Sequence, residues 1–226
     1  SGPVGFDKIN WCGEIQGPSL VFHHTSPAGH QGYPGTVTTQ FRYTLDNDGL
    51  RIDMHAETDL ATPISLTAHS YFNFGDTTIS NHALSFKASH FYQTDNEGLN
   101  RGHSQDVKHS DFDFQSSRKI GHADIDHHFG VSGTAMREMA TLFSPNGETR
   151  LKVLSDLPGF QLYTAHNIDT LIGKNAETYG HYAGIAIEPQ YPPNAINNPH
   201  LPDIILRPDQ TWSHSIVYKI ESLETA

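Results

Sequence analysis

The stretch "TVTTQFRYTLDNDGLRIDMHAET", residues 36–58, decides the fold. Val37, Thr39, Phe41, Tyr43 and Leu45 fall on one side of an extended chain, and Thr38, Gln40, Arg42 and Thr44 fall on the other. That period of two is the signature of a β-strand, whose successive side chains point to opposite faces. "DNDG" at 46–49 turns the chain, and the alternation resumes with Leu50, Ile52, Met54 and Ala56. Two such runs joined through Asp-Gly predict a β-hairpin. "MREMATLFSPNGETRLKVLSD" (136–156) repeats the pattern around Asn-Gly. Further strands are expected at 19–25, 64–74, 83–93, 160–166, 183–190 and 211–221, with Pro, Gly and Asn clustered between them. Many short strands at this spacing predict an all-β sandwich or barrel. Residues 94–135 read as one long excursion with little apolar periodicity, and a loop of that length is often functional.

Bulk composition narrows the class. A chain of 226 residues predicts a single domain, 1–226, large enough for a sizeable core. A net charge of -11 argues against a nucleic-acid partner and against anionic membranes. No apolar run approaches the roughly 18 residues that span a bilayer. One cysteine, Cys12, excludes an intramolecular disulfide and suits a reducing, cytoplasmic compartment. No signal peptide is visible at the start, "SGPVGFDKIN". The sixteen histidines lack zinc-ligand spacing, and the pairs His23-His24 and His127-His128 would point to opposite faces of a strand. No metal and no cofactor is expected.

Two placements stand out against that background. In "TAHSYFNFGD" (67–76) a histidine lies in a strand-like run beside Tyr71, Phe72 and Phe74. Strand parity would put Leu66, Ala68, Ser70, Phe72 and Phe74 on one face and Ser65, Thr67, His69, Tyr71 and Asn73 on the other. In "GIAIEPQYPPNAINNP" (184–199) an acid sits between isoleucines and a proline. There Ile185 and Ile187 face one way, and Gly184, Ala186 and Glu188 the other. The small Gly184 and Ala186 would leave room beside Glu188 for a small polar ligand. Taken alone, a strand histidine and a strand-end glutamate are ordinary structural residues, and parity by itself names no function.

A resemblance adds to this. "GYPGTV" (32–37), "TPISLTAHSYFNFGD" (62–76), "DFDF" (111–114), "DIDHHFG" (124–130), "PGFQLYTAHN" (158–167) and "GIAIEPQYPPNAINNP" (184–199) resemble, in order and spacing, the aldose 1-epimerase (galactose mutarotase) family. The resemblance implies a large antiparallel β-sandwich with a sugar groove on one sheet. It implies His69 as general acid, Glu188 as general base, and Asp126 and Gln161 as binders of sugar hydroxyls. An aromatic side chain, Tyr71, is expected to stack on the sugar's C–H face. The implied reaction interconverts the α and β anomers of an aldohexose, galactose or glucose, by opening and reclosing the ring. A proton donor and a proton acceptor suffice for it. Histidine, with an ordinary pKa of about 6.5, suits the donor, and a glutamate raised by partial burial beside Ile187 and Pro189 suits the acceptor.

The match departs from the family pattern in two ways. The family carries about a hundred further residues before the "GFDKINW" region (5–11), including an Arg and a His that line the sugar site. The expectation is therefore a domain incomplete at the N-terminus, the C-terminal two thirds of the family domain. It is a fragment, a chain completed by a second polypeptide that supplies the missing strands, or a shortened relative without activity. The family's Glu-Thr-Gln and Pro-Asp-Ala also read Glu188-Pro189-Gln190 and Pro193-Asn194-Ala195 here, which bears on substrate preference. Two other readings stay open: a carbohydrate-binding or regulatory module on the same fold, and a phosphosugar 1-epimerase. The second would want a basic cluster at the groove, which the scattered lysines and arginines do not offer.

Overall fold

The computed structural model describes residues 2–95 and 98–223. Asn96 and Glu97, inside the expected excursion, lie outside the described residues, as do the ends of the expected domain. In chain order the strands are β1 (Cys12–Gln16), β2 (Ser19–Ser26), β3 (Val37–Asp46), β4 (Gly49–Thr58), β5 (Thr62–Pro63), β6 (Tyr71–Phe72), β7 (Ala83–Phe86), β8 (His90–Thr94), β9 (Asn100–Asp106) and β10 (Arg118–Lys119). They continue with β11 (Asp126–Gly130), β12 (Arg137–Phe143), β13 (Thr149–Ser155), β14 (Gly159–Tyr163), β15 (Leu171–Ile172), β16 (Thr178–Tyr179), β17 (Ile185–Gln190), β18 (Ile205–Leu206) and β19 (Trp212–Ser222). Nine form one sheet in the order β1-β2-β3-β4-β19-β13-β12-β7-β10, and six form a second in the order β6-β17-β14-β11-β8-β9. The remaining four make two small ribbons, β15–β16 and β5–β18.

Both expected hairpins form. β3 and β4 pair from Val37↔Thr58 to Asp46↔Gly49, so the turn falls on Asn47-Asp48. Gly49 is held at a positive φ of 119°, and a Cβ there would come within 2.3 Å of the Tyr218 carbonyl oxygen, so glycine is required. The alternation read from the sequence becomes burial: Val37, Thr39 and Phe41 are buried on β3, and Ile52, Met54 and Ala56 on β4. The two sheets face each other across one core. Ile52, Met54, Leu142, Leu151 and Ile216 of the larger sheet meet Phe91, Phe129, Phe160, Leu162, Ile185 and Ile187 of the smaller. This is the antiparallel sandwich. Aromatic rings dominate its centre: Phe129 stacks on Phe160 at 5.5 Å and packs at 4.8 Å from Phe86.

Three expected elements come out differently. Only Tyr71–Phe72 of the strand expected at 64–74 pairs in the six-stranded sheet, while Thr62–Pro63 joins a separate ribbon and residues 64–70 are irregular. The parity assigned to that run therefore holds only at its end, and Phe74, at φ 51°, turns out of it altogether. The strand expected at 83–93 is two strands in different sheets, broken at Lys87–Ser89. The excursion at 94–135 contains β9, β10 and β11, and it drives Val107, Phe114, Ile120 and Ile125 into the core. Its strands escape a period-2 reading because β9 is a polar edge strand, "NRGHSQD", and β10 is two residues long.

The aromatic centre carries a measurable share of stability. Phe129→Ala should lower the unfolding free energy by about 3–5 kcal/mol, the usual range for deleting a buried phenylalanine. In urea titration this appears as a lower midpoint with an unchanged m-value.

Candidate active site

The outward face of the smaller sheet is set by its register. Glu188 of β17 lies opposite Gln161 of β14, and Gln161 lies opposite His128 of β11. One row over, Tyr71 of β6, Ala186 of β17, Tyr163 of β14 and Asp126 of β11 line up. Cross-strand partners share a face. Ile185, Ile187, Phe160, Leu162 and Phe129 therefore point into the core, and the two polar rows point away from it.

His69 reaches this face from the irregular segment. Its Nε2 lies 3.4 Å from Glu188 Oε1, a contact too long for a strong hydrogen bond. The two side chains differ sharply in setting, the imidazole being 50% exposed and the carboxylate 8%. The His69 ring packs at 4.9 Å against Tyr71, and Tyr71 stands edge-on to Tyr163 at 6.3 Å. Gln161 Nε2 donates to Asp126 Oδ1 at 2.7 Å. The structure thus gathers His69, Tyr71, Asp126, Gln161 and Glu188 at one surface. One detail differs from the sequence reading. The space beside Gly184 is taken by Tyr71, since a Cβ at Gly184 would meet Tyr71 Cβ at 3.3 Å.

Electrostatics separate the two candidate proton carriers. Burial, reinforced by the charge of Asp126, pushes the Glu188 carboxyl up to about 8. No cation in its own row opposes this. His128, fully enclosed, is pushed down to about 3 by burial and by His90, so it stays neutral beside Gln161. The Tyr71 hydroxyl is raised by burial, then by Tyr163, Glu188 and Asp126, which puts the phenol in the field of both carboxyls. A carboxyl poised near neutrality beside an accessible imidazole can move protons to and from a small ligand.

Among the described residues, no three His, Cys, Asp or Glu side chains converge so as to hold a metal ion. No helix among the described residues is long and apolar enough to cross a membrane. Tyr163 and His128 escaped the sequence reading. Tyr163 was within reach, because it lies two residues beyond Gln161 in "PGFQLYTAHN" and so shares its face. His128 was not, because its placement depends on which strand pairs with β11.

The sequence profile of the family described as Aldose 1-epimerase matches residues 5–219. The chain belongs to the aldose 1-epimerase family. It is 32% identical to the galactose mutarotase of Bos taurus over 230 residues, which cover 96% of this chain and 67% of the bovine protein. The aldose 1-epimerase of Escherichia coli K12 is 29% identical, with 96% of this chain and 68% of that protein covered. The crystal structure of a GalM/aldose epimerase homologue from C. elegans superposes with a TM-score of 0.92 at 27% identity, over 99% of this chain and 72% of that one. The chain therefore spans about two thirds of the length of these members of the aldose 1-epimerase family.

Burying an ionisable group has a consequence for stability. The Glu188 carboxyl binds its proton more tightly folded, near 8, than unfolded, near 4.5. The stabilising contribution of the protonated form is complete below about pH 4.5 and is lost as pH rises through about 8. Glu188→Gln, which cannot ionise, should therefore raise Tm relative to wild type at pH 8. The difference should shrink to near zero by about pH 4 in calorimetric scans.

Proposed function

We propose that this chain interconverts the α and β anomers of an aldohexose, galactose or glucose, by acid–base ring opening. The observation that carries this reading is the buried carboxyl of Glu188, raised to about 8, facing the exposed His69 imidazole at 3.4 Å. The Glu188 carboxylate takes the proton of the anomeric hydroxyl. The bond from C1 to the ring oxygen breaks as the aldehyde forms, and the ring oxygen takes a proton from His69 Nε2. Rotation about C1–C2 presents the other face of the aldehyde. Reclosure returns both protons by the same route, so neither electrons nor a group is transferred.

Substrate entry requires the imidazole and carboxylate to part, because a sugar ring does not fit within 3.4 Å. The exposed His69 side chain moves more readily than the enclosed Glu188. Asp126, steadied by Gln161 Nε2, accepts hydrogen bonds from sugar hydroxyls, and the half-exposed Tyr71 ring offers a stacking face. A phosphorylated sugar is disfavoured, since Asp126 repels phosphate and none of the groups gathered at this surface is an arginine or lysine.

A polypeptide partner fits beside this site. β1 is an edge strand exposed along its whole length, with Ile15 83% accessible. An open cavity of about 610 Å³, walled by Phe6, Trp11, Phe22, Phe41 and Tyr43, runs up to His69. An extended segment with alternating apolar side chains would pair with that edge and fill that cavity. The unmatched third of the bovine protein is long enough to supply one. The cytoplasm is the proposed compartment, supported by the exposed free thiol of Cys12.

Polarimetry of α-galactose tests the activity. Turnover above buffer is expected, with kcat/KM passing through a maximum as pH is varied, because the reaction needs Glu188 ionised and a proton on His69 Nε2 at the same time. Glu188→Gln should lower kcat about 10²- to 10⁴-fold. Wild-type turnover no faster than buffer, or an unchanged rate in the variant, removes the reading. Mixing the chain with the unmatched third of the bovine protein should raise Tm and turnover together. No change in either removes the partner.

A further inference from the structure

The segment that carries His69 runs along the edge of β17 without being a strand. β6 and β17 pair at Ile185↔Phe72 and Ala186↔Tyr71. Continuing that register would set Ser70 against Ile187, His69 against Glu188 and Ala68 against Pro189. The regular strand stops first, and residues 64–70 are irregular. Pro189 bars the ladder from resuming opposite Ala68. Its carbonyl oxygen faces this edge, where it accepts a hydrogen bond from Thr67 Oγ1 at 2.7 Å. In an antiparallel ladder the N–H and C=O of one residue point to the same edge, and proline has no N–H to offer there. A continued ladder would lack its donor at this residue.

We propose that Thr67 is the positioning residue of the acid-bearing segment, its hydroxyl strapping that segment to the strand that carries Glu188. The strap ends on Pro189, one residue beyond Glu188, and begins two residues before His69. On the other side of His69 the ladder takes over at Tyr71↔Ala186, and the Ser70 side chain bonds the Tyr218 hydroxyl. Tyr218 donates its hydroxyl to the Ala68 carbonyl at 3.4 Å, and Ile64 N donates to the Ile204 carbonyl at 2.8 Å on the far side of Leu66. Leu66 and Ala68 pack against the core and limit movement inward, but apolar contact sets no register along the strand. Thr67 Oγ1 sets it on the N-terminal side of His69, as the Tyr71↔Ala186 pair does on the other, and the two together fix the height of His69 along β17. Valine at 67 would keep the shape and remove the donor, and serine would keep the donor and remove a methyl group.

The kinetic half of this inference rests on the proposed activity, so the test has a readout independent of turnover. Amide hydrogen exchange over residues 66–70 should rise roughly three- to tenfold in Thr67→Val with β14 unchanged, and should match wild type in Thr67→Ser. In polarimetry Thr67→Val should lower kcat roughly tenfold or more with KM within about twofold, and Thr67→Ser should recover most of the rate. Unchanged exchange in the valine variant, or equal acceleration in the serine variant, overturns the strap. Faster exchange with an undiminished kcat overturns its positioning role. If the wild-type chain shows no turnover, that result counts against the proposed activity, and the exchange data decide the strap by themselves. Should the valine variant not fold, Thr67→Cys weakens the donor at similar size and is judged by the same two outcomes.

Discussion

Glu188 is a carboxyl placed where water hardly reaches it, and the rest of the site is arranged around that fact. An ionised carboxylate in such a position loses hydration that only a cation or several hydrogen bonds could replace. The sheet supplies neither in its row, since Gln161 turns its amide donor to Asp126 and His128 is too enclosed to carry charge. The carboxyl answers by holding its proton up to about 8. A surface glutamate at the same register would be a poor base at neutral pH, because its conjugate acid would be too strong. The ladder that fixes Glu188 between Ile187 and Pro189 is thus also what sets its basicity.

That ladder is costly to maintain near a carboxyl, and the aromatic centre of the sandwich offsets the cost. Phe129 and Phe160 lie on the reverse of the strands that present Asp126 and Gln161, stacked 5.5 Å apart. Their packing keeps β11 and β14 in the register that brings Asp126 Oδ1 within 2.7 Å of Gln161 Nε2. Alternation along each strand couples the two faces, so a slip of one residue would bury the polar rows and expose the rings.

What could be read from the sequence follows from how local each signal is. The hairpins at 36–58 and 136–156 were legible because period-2 alternation and a turn sequence agree within about twenty residues, as patterning rules require. The expected burial of Glu188 between Ile187 and Pro189 was legible for the same reason. The strand expected at 64–74 is cut short, and what constrains it lies more than a hundred residues away in the chain: the edge of β17, where Pro189 offers no donor opposite Ala68. β9 and β10 were missed because the apolar residues around them, Val107, Phe114, Ile120 and Ile125, sit in the connections and not in the strands, and β11 because its five residues carry one large apolar side chain, Phe129, too few to show an alternation.

The irregular course of residues 64–70 also bears on how the two candidate proton carriers differ. Had the ladder continued, His69 would have been a strand residue locked directly opposite Glu188, with its ring confined by cross-strand neighbours. Outside the ladder, it is held by the Thr67 hydroxyl before it, by the Tyr71↔Ala186 pair after it and by packing at Leu66 and Ala68, and half of its side chain stays open. In the proposed reaction, a rigid, buried acceptor and a looser, accessible donor would divide the work unequally. The first would fix where the anomeric hydroxyl lies, and the second would swing out to admit a ring and return to its oxygen.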